Sequence, residues 1–169
     1  MIDVKKWAAS LTCIALALGQ FFVPAQALTA QPKPEKTVTV NLAYVTVTTT
    51  KSQAAAALAS PYVKYFDAQT IAFLTTYSKG LSMAEWKALN NIWTHESHFN
   101  PKALNMSSHA YGIAQFLPST WNNYKITKTA NAALQIKYGL RYIHMRYGTP
   151  SDSAGIINAW NFWQRHGWY

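Results

Sequence analysis

From Pro61 onward the chain carries four carboxylates, Asp67, Glu85, Glu96 and Asp152, and three of them have a structural duty in prospect. Glu85 follows Ser82 at the spacing of a capping box, and Asp67 and Asp152 stand where helix N-termini are expected. Glu96 has no such duty. It continues the face that carries Trp86, Leu89 and Trp93, and on a helical wheel it falls between Leu89 and Ile92, inside the apolar stripe. A carboxyl group aimed at a core without a charged partner favours its protonated form, which suits a general acid. The same pattern also fits a glutamate that reaches the surface or pairs with Lys102 or a histidine, and the helix alone does not separate the two. Most glycosidases flank the scissile bond with two carboxylates, and a second is hard to find here. One acid suffices when the substrate supplies its own nucleophile, as an N-acetyl group does, so the scarcity points toward N-acetylated sugars.

The element that positions Glu96 is predicted to start at Ser82, where Leu81 and Trp86 form a hydrophobic staple around the capping box. It ends before Phe99-Asn100-Pro101, because the residue preceding a proline avoids the α region. A second helix is expected over 130–147, with Ile136, Leu140 and Ile143 along its apolar side. Trp86 and Trp93 are expected in the core, Trp121 suits core or groove equally, and Trp168 and Tyr169 are expected to clamp the end of the domain. His95 and His98 are three residues apart before a break, whereas helical zinc-protease histidines are four apart, so no metal and no other cofactor is expected. His109, His144 and His166 show no metal-ligand spacing and read as surface or groove residues. There is no Gly-x-Ser-x-Gly elbow and no phosphate-cradling glycine loop.

The chain has 169 residues, half of them hydrophobic and 12% charged, which describes one packed domain. Its formal charge of +9 suits an anionic neighbour such as a cell wall, a membrane surface or a nucleic acid. Lys125, Lys128, Lys137, Arg141 and Arg146 are spread as on a solvated face, and no nucleic-acid-binding motif accompanies them. One cysteine, Cys13, allows no intrachain disulfide and no thiolate zinc cluster. Lys5 and Lys6 precede a largely apolar stretch from Trp7 to Val23, and Ala25-Gln26-Ala27 has the small-x-small pattern of a signal-peptidase site. Residues 1–27 are therefore expected to be a signal peptide rather than a retained membrane anchor, directing the chain out of the cell. Residues 28–60, rich in threonine, alanine and proline, read as a flexible linker, with one isolated strand as the alternative for the valine and threonine alternation. The folded domain is expected over 61–169 and mostly helical.

Two segments together carry a resemblance. His95-Glu96-Ser97-His98-Phe99-Asn100-Pro101, followed by Ala110-Tyr111-Gly112-Ile113-Ala114-Gln115-Phe116-Leu117-Pro118-Ser119-Thr120-Trp121, resembles the soluble lytic transglycosylase domain of the lysozyme superfamily, with its Glu-Ser and Gly-x-x-Gln motifs. The Gln-Phe-x-x-Ser-Thr-Trp stretch is also similar to resuscitation-promoting factors. The C-terminal sequence, from Gln135 to Gly148 and on through Phe162-Trp163 to Trp168-Tyr169, is similar to aggregation-promoting-factor-like wall proteins.

The resemblance implies a mostly α, lysozyme-like fold, assigned by convention to an α+β superfamily. It implies cleavage of the bond between N-acetylmuramic acid and N-acetylglucosamine in peptidoglycan, with Glu96 as catalytic acid and base and a 1,6-anhydro product. A hydrolytic muramidase and a non-enzymatic wall-binding or aggregation protein are the alternatives. Substrate contacts implied by the same resemblance are Ser97, Tyr111, Gly112, Gln115, Thr120 and Trp121, with Trp160 and Asn161 from Ala159-Trp160-Asn161. That triplet departs from the family's Ala-Tyr-Asn, and Tyr111 or Tyr142 is a candidate for the missing phenol. His98 stands where the family frequently has glycine. Peptidoglycan strands are the implied partner, anionic wall polymers a further one, and the protein is expected to act as a monomer.

Overall fold

A computed structural model describes residues 34–149, 152 and 154–169. The expected signal peptide and the first part of the expected linker lie outside the described residues. The chain divides into two compact units, Met1–Glu35 and Lys36–Tyr169; in the first only Pro34 and Glu35 are described, both exposed. Among the described residues no helix is long and apolar enough to cross a membrane.

The second unit opens on an antiparallel hairpin, β1 (Val38–Asn41) and β2 (Thr46–Thr49), paired from Val38 opposite Thr49 to Asn41 opposite Thr46. Helix α1 (Lys51–Ala59) follows, capped by Thr50 and Gln53, and packs against α2 (Ala68–Ser78) with Ala54 fully buried. This corrects the linker expectation for residues 36–60. The valine and threonine alternation does not stand alone, because the chain turns at Asn41–Thr46 and supplies its own second strand. Val38, Val40, Leu42 and Val47 then pack on the core. Two bonds fasten the hairpin to α2: the Ala43 amide donates to the Gln69 side chain at 2.8 Å, and the Tyr77 hydroxyl donates to the Lys36 carbonyl at 2.9 Å.

A short 3-10 turn over Pro61–Tyr65 leads to α2, where Asp67 accepts from the amide and hydroxyl of Thr70. Helix α3 (Met83–Ser97) is the central element, with α2 and α6 (Ile156–His166) against it and α5 (Ala132–Tyr147) packed on both of those neighbours. The Ser82–Glu85 capping box starts α3 as expected. Its side chains Leu89, Ile92 and Trp93 are wholly buried with Phe73, Ile113, Ile136, Ile143 and Ile156. Gly139 lets α5 approach α3: a Cβ there would lie 2.7 Å from Trp93 Cζ2, too close for any side chain. The result is the mostly helical fold expected, with only short extended pieces.

Candidate active site

Helix α3 stops one residue after Glu96, and the stop is made by backbone conformation as well as by Pro101. His98 and Phe99 both take positive φ, +53° and +58°, and their amides turn back to Thr94 and Trp93 carbonyls. This left-handed cap is the conformation glycine adopts most easily, so His98 stands at a position where its side chain adds strain and points to an exposed surface. Glu96 itself is half-buried. Its Oε1 accepts a hydrogen bond from the Trp163 indole at 3.0 Å, and burial raises its carboxyl above the usual range while that bond lowers it. Burial is the larger effect, and the partner is neutral. Neither Lys102 nor a histidine is paired with the carboxylate, so the ion-pair alternative does not match the geometry.

Trp163 belongs to a group of three nearly parallel rings on adjoining faces of α3 and α6. Its ring centroid lies 4.4 Å from that of His95 and 5.3 Å from that of Trp160. The Glu96 charge is also felt by Tyr169. Its ring is partly exposed, but its hydroxyl is buried, accepting from Trp93 Nε1 at 2.9 Å and donating to the Ala114 carbonyl at 3.4 Å. Burial holds this phenol well above its ordinary value, and the Glu96 charge adds to the effect. Tyr169 is thus a phenol whose ionisation is coupled to that of the carboxylate. Tyr142 meets it edge-on with centroids 5.9 Å apart and its hydroxyl accepts a hydrogen bond from the Arg146 guanidinium, while Tyr111 lies under the Lys128 ammonium.

The Gly-x-x-Gln segment forms a tight loop closed by reciprocal backbone bonds between Tyr111 and Phe116. Two buried side chains hold it from below. The Ser97 hydroxyl donates to the Ile113 carbonyl at 2.9 Å, and the Gln135 carboxamide oxygen accepts from the Ile113 amide at 2.7 Å. Gln135 Nε2 donates to the carbonyls of Pro101 and Thr129, so one buried amide ties the end of α3, the loop and the start of α5 together. These contacts give Ser97 and Gly112 a structural duty in the loop. Ser97 is buried with its hydroxyl bonded to the Ile113 carbonyl, so it positions the loop. Gly112, at φ +84°, is small because the Gln135 side chain occupies the space; a Cβ would lie 2.4 Å from its oxygen.

The remaining candidates divide. Gln115, at φ +46°, is half-buried and turns its amide nitrogen onto the Gly112 carbonyl at 2.8 Å, which leaves its oxygen as an acceptor. Trp160 adjoins Trp163 and Asn161 is exposed on α6, both on the element that bonds Glu96. Thr120 and Trp121 lie on α4 (Pro118–Asn123); Trp121 is 5% exposed and packs edge-on against Phe116, so most of its ring belongs to the core. Trp163 and Gln135 are the positions that sequence reasoning misses. The spacing of Trp160 and Trp163, and of Gln135, Gly139 and Ile143 on one face, is the signal that could have found them.

Residues 81–164 match the family model described as the transglycosylase SLT domain. That stretch of the chain is a transglycosylase SLT domain, as its two motifs indicate. No curated protein and no solved structure matches the chain. Among the described residues no group of three or more histidine, cysteine, aspartate or glutamate side chains is placed to hold a metal ion.

Proposed function

We propose that the protein is a secreted peptidoglycan lytic transglycosylase in which Glu96 is the sole acid and base. The observation that carries this reading is a half-buried carboxyl, raised by desolvation, whose hydrogen-bond partner is an uncharged indole. Such a group is protonated more readily than an exposed carboxylate and is ready to give its proton to a glycosidic oxygen. As the bond from C1 of N-acetylmuramic acid to that oxygen breaks, the acetamido group steadies the oxocarbenium-like centre. Glu96, now ionised, is held by the Trp163 N–H, which strengthens toward a charged acceptor. The carboxylate then takes the proton of the muramic 6-hydroxyl, and O6 bonds to C1 to close the anhydro ring, so no water is consumed.

In this reading the Gln115 oxygen accepts from the substrate acetamide, Trp160 and Asn161 line the α6 side, and Ser97 and Gly112 act through the loop they shape. Tyr111, Thr120 and Trp121 support that loop from the flank. Residues 1–27 serve as a signal peptide, and the chain acts as a monomer in the wall. The test is digestion of purified sacculi by the wild type and Glu96→Gln, with released muropeptides read by mass. The wild type yields anhydro-muropeptides, and the variant loses at least about a hundredfold in rate. Products heavier by one water make the enzyme a muramidase, and equal release by both proteins removes Glu96 from the chemistry.

A further inference from the structure

We infer that a basic cavity on the flank of the Gly-x-x-Gln loop is a subsite for free carboxylates of the peptide that peptidoglycan carries on its muramic acid units. The inference rests on the proposed glycan-cleaving function and names the part of the substrate that function leaves unassigned. The cavity has a volume of about 760 Å³. Its charged lining is Lys125 and Lys128, with the His109 imidazole beside them and no carboxylate among the lining residues. Among the described residues neither lysine has an acidic partner. Leu104, Trp121 and Ile126 make an apolar floor. Trp121 is 5% exposed and its indole N–H has no hydrogen-bond partner, one of two such buried side-chain atoms among the described residues.

Two features select the occupant. Paired ammonium groups call for an anion, and the apolar floor calls for a ligand that brings aliphatic groups with its charge. A short peptide with free carboxylates offers both, whereas a phosphodiester polymer offers charge alone. The position agrees with this. Leu104 bridges to Tyr111, Tyr111 bridges to Phe116, and Gln115 lies inside that ladder, while the Lys128 ammonium stands 4.2 Å over the Tyr111 ring. The cavity is therefore joined through one small ladder to the residue that would hold the sugar. A peptide attached to the same sugar arrives at high effective concentration, so weak, solvent-exposed contacts are enough to affect selection.

The experiment compares peptide-bearing glycan strands with the same strands stripped of peptide by an amidase, using the full chain as wild type and as Lys125→Gln/Lys128→Gln. Both lysines are exposed, and an unchanged melting temperature verifies the fold of the double variant. The expected result is a loss of about five- to tenfold in kcat/KM on peptide-bearing strands, the scale of two solvent-exposed ion pairs, with no loss on stripped strands. An equal loss on both strands, or none on either, overturns the subsite. A wild type inhibited by soluble teichoic acid, with a double variant that escapes inhibition and no discrimination between strands, replaces the peptide by a phosphate polymer. Should the wild type cleave neither strand, the glycan-cleaving function falls, and co-sedimentation decides the subsite separately. Weaker retention of stripped strands by the wild type, but not by the double variant, supports it, and equal retention overturns it.

Discussion

Replacing Gln135 by leucine keeps nearly the same volume at a buried position and removes three hydrogen bonds at once, to the Ile113 amide, the Pro101 carbonyl and the Thr129 carbonyl. Each is worth about 1 kcal/mol net, and a buried amide left without an acceptor costs about 1–3 kcal/mol in place of the simple loss. The expected destabilisation is about 3–5 kcal/mol, a large part of the roughly 5–15 kcal/mol that holds a domain together. At a few degrees per kcal/mol this lowers the melting temperature by about 10–20 °C. Urea unfolding of the wild type, Gln135→Leu, Ser97→Ala and the double variant reads both the cost and the coupling. Ser97 grips the carbonyl of Ile113 and Gln135 its amide, so the two substitutions are expected to be non-additive by at least about 0.5 kcal/mol. A Gln135→Leu loss under about 1 kcal/mol, or strict additivity with Ser97→Ala, refutes the idea that these two side chains jointly clamp the loop carrying Gln115.

Glu96→Gln is expected to raise the melting temperature at pH 7, because the folded state holds this carboxyl with a raised pKa. Below the unfolded value of 4.5 the proton is bound in both states and the penalty is absent; it develops as pH rises through the folded value. Melts at pH 4 and pH 7 check this, and a gain that is larger at pH 4 contradicts it. Trp163→Phe removes the donor that favours the ionised carboxylate, so the alkaline limb of the kcat/KM profile on sacculi should move to higher pH. An unmoved limb with merely reduced rate assigns Trp163 to packing alone. A chain trimmed to start at Pro61 loses the burial of Ala54 and both fastenings of the hairpin, and is expected to melt well below the full protein. Identical melting curves return residues 36–60 to the status of a linker.

The capping box at Ser82 and Glu85, the apolar face of α3 and the inward bias of Glu96 are written in local spacing, and each is visible before any fold is known. The α1 segment is not, because a run of alanines has a weak helical face and buries only by docking on α2, a contact distant in sequence. The hairpin is hidden for a related reason: the alternation of 37–50 reads as one strand unless the Asn41–Thr46 reversal is recognised. At the site, Glu96 and Gln115 are legible as types in a motif, yet their neighbours are not. Trp163 lies 67 positions from Glu96, and Gln135 lies 22 from Ile113, so nothing local announces either bond. Ser97 and Gly112 look like ligand contacts in a motif, and only packing reveals that they shape the loop from within.

The hydrogen bond from Trp163 to Glu96 places a proton with a distinctive magnetic resonance directly on the oxygen of interest. Indole N–H signals are well separated from backbone amides, and the chain has seven tryptophans, so assignment by one substitution is practicable. The chemical shift of that single proton would follow carboxyl ionisation across a titration with no sugar present, giving the resting protein a built-in indicator of its own protonation.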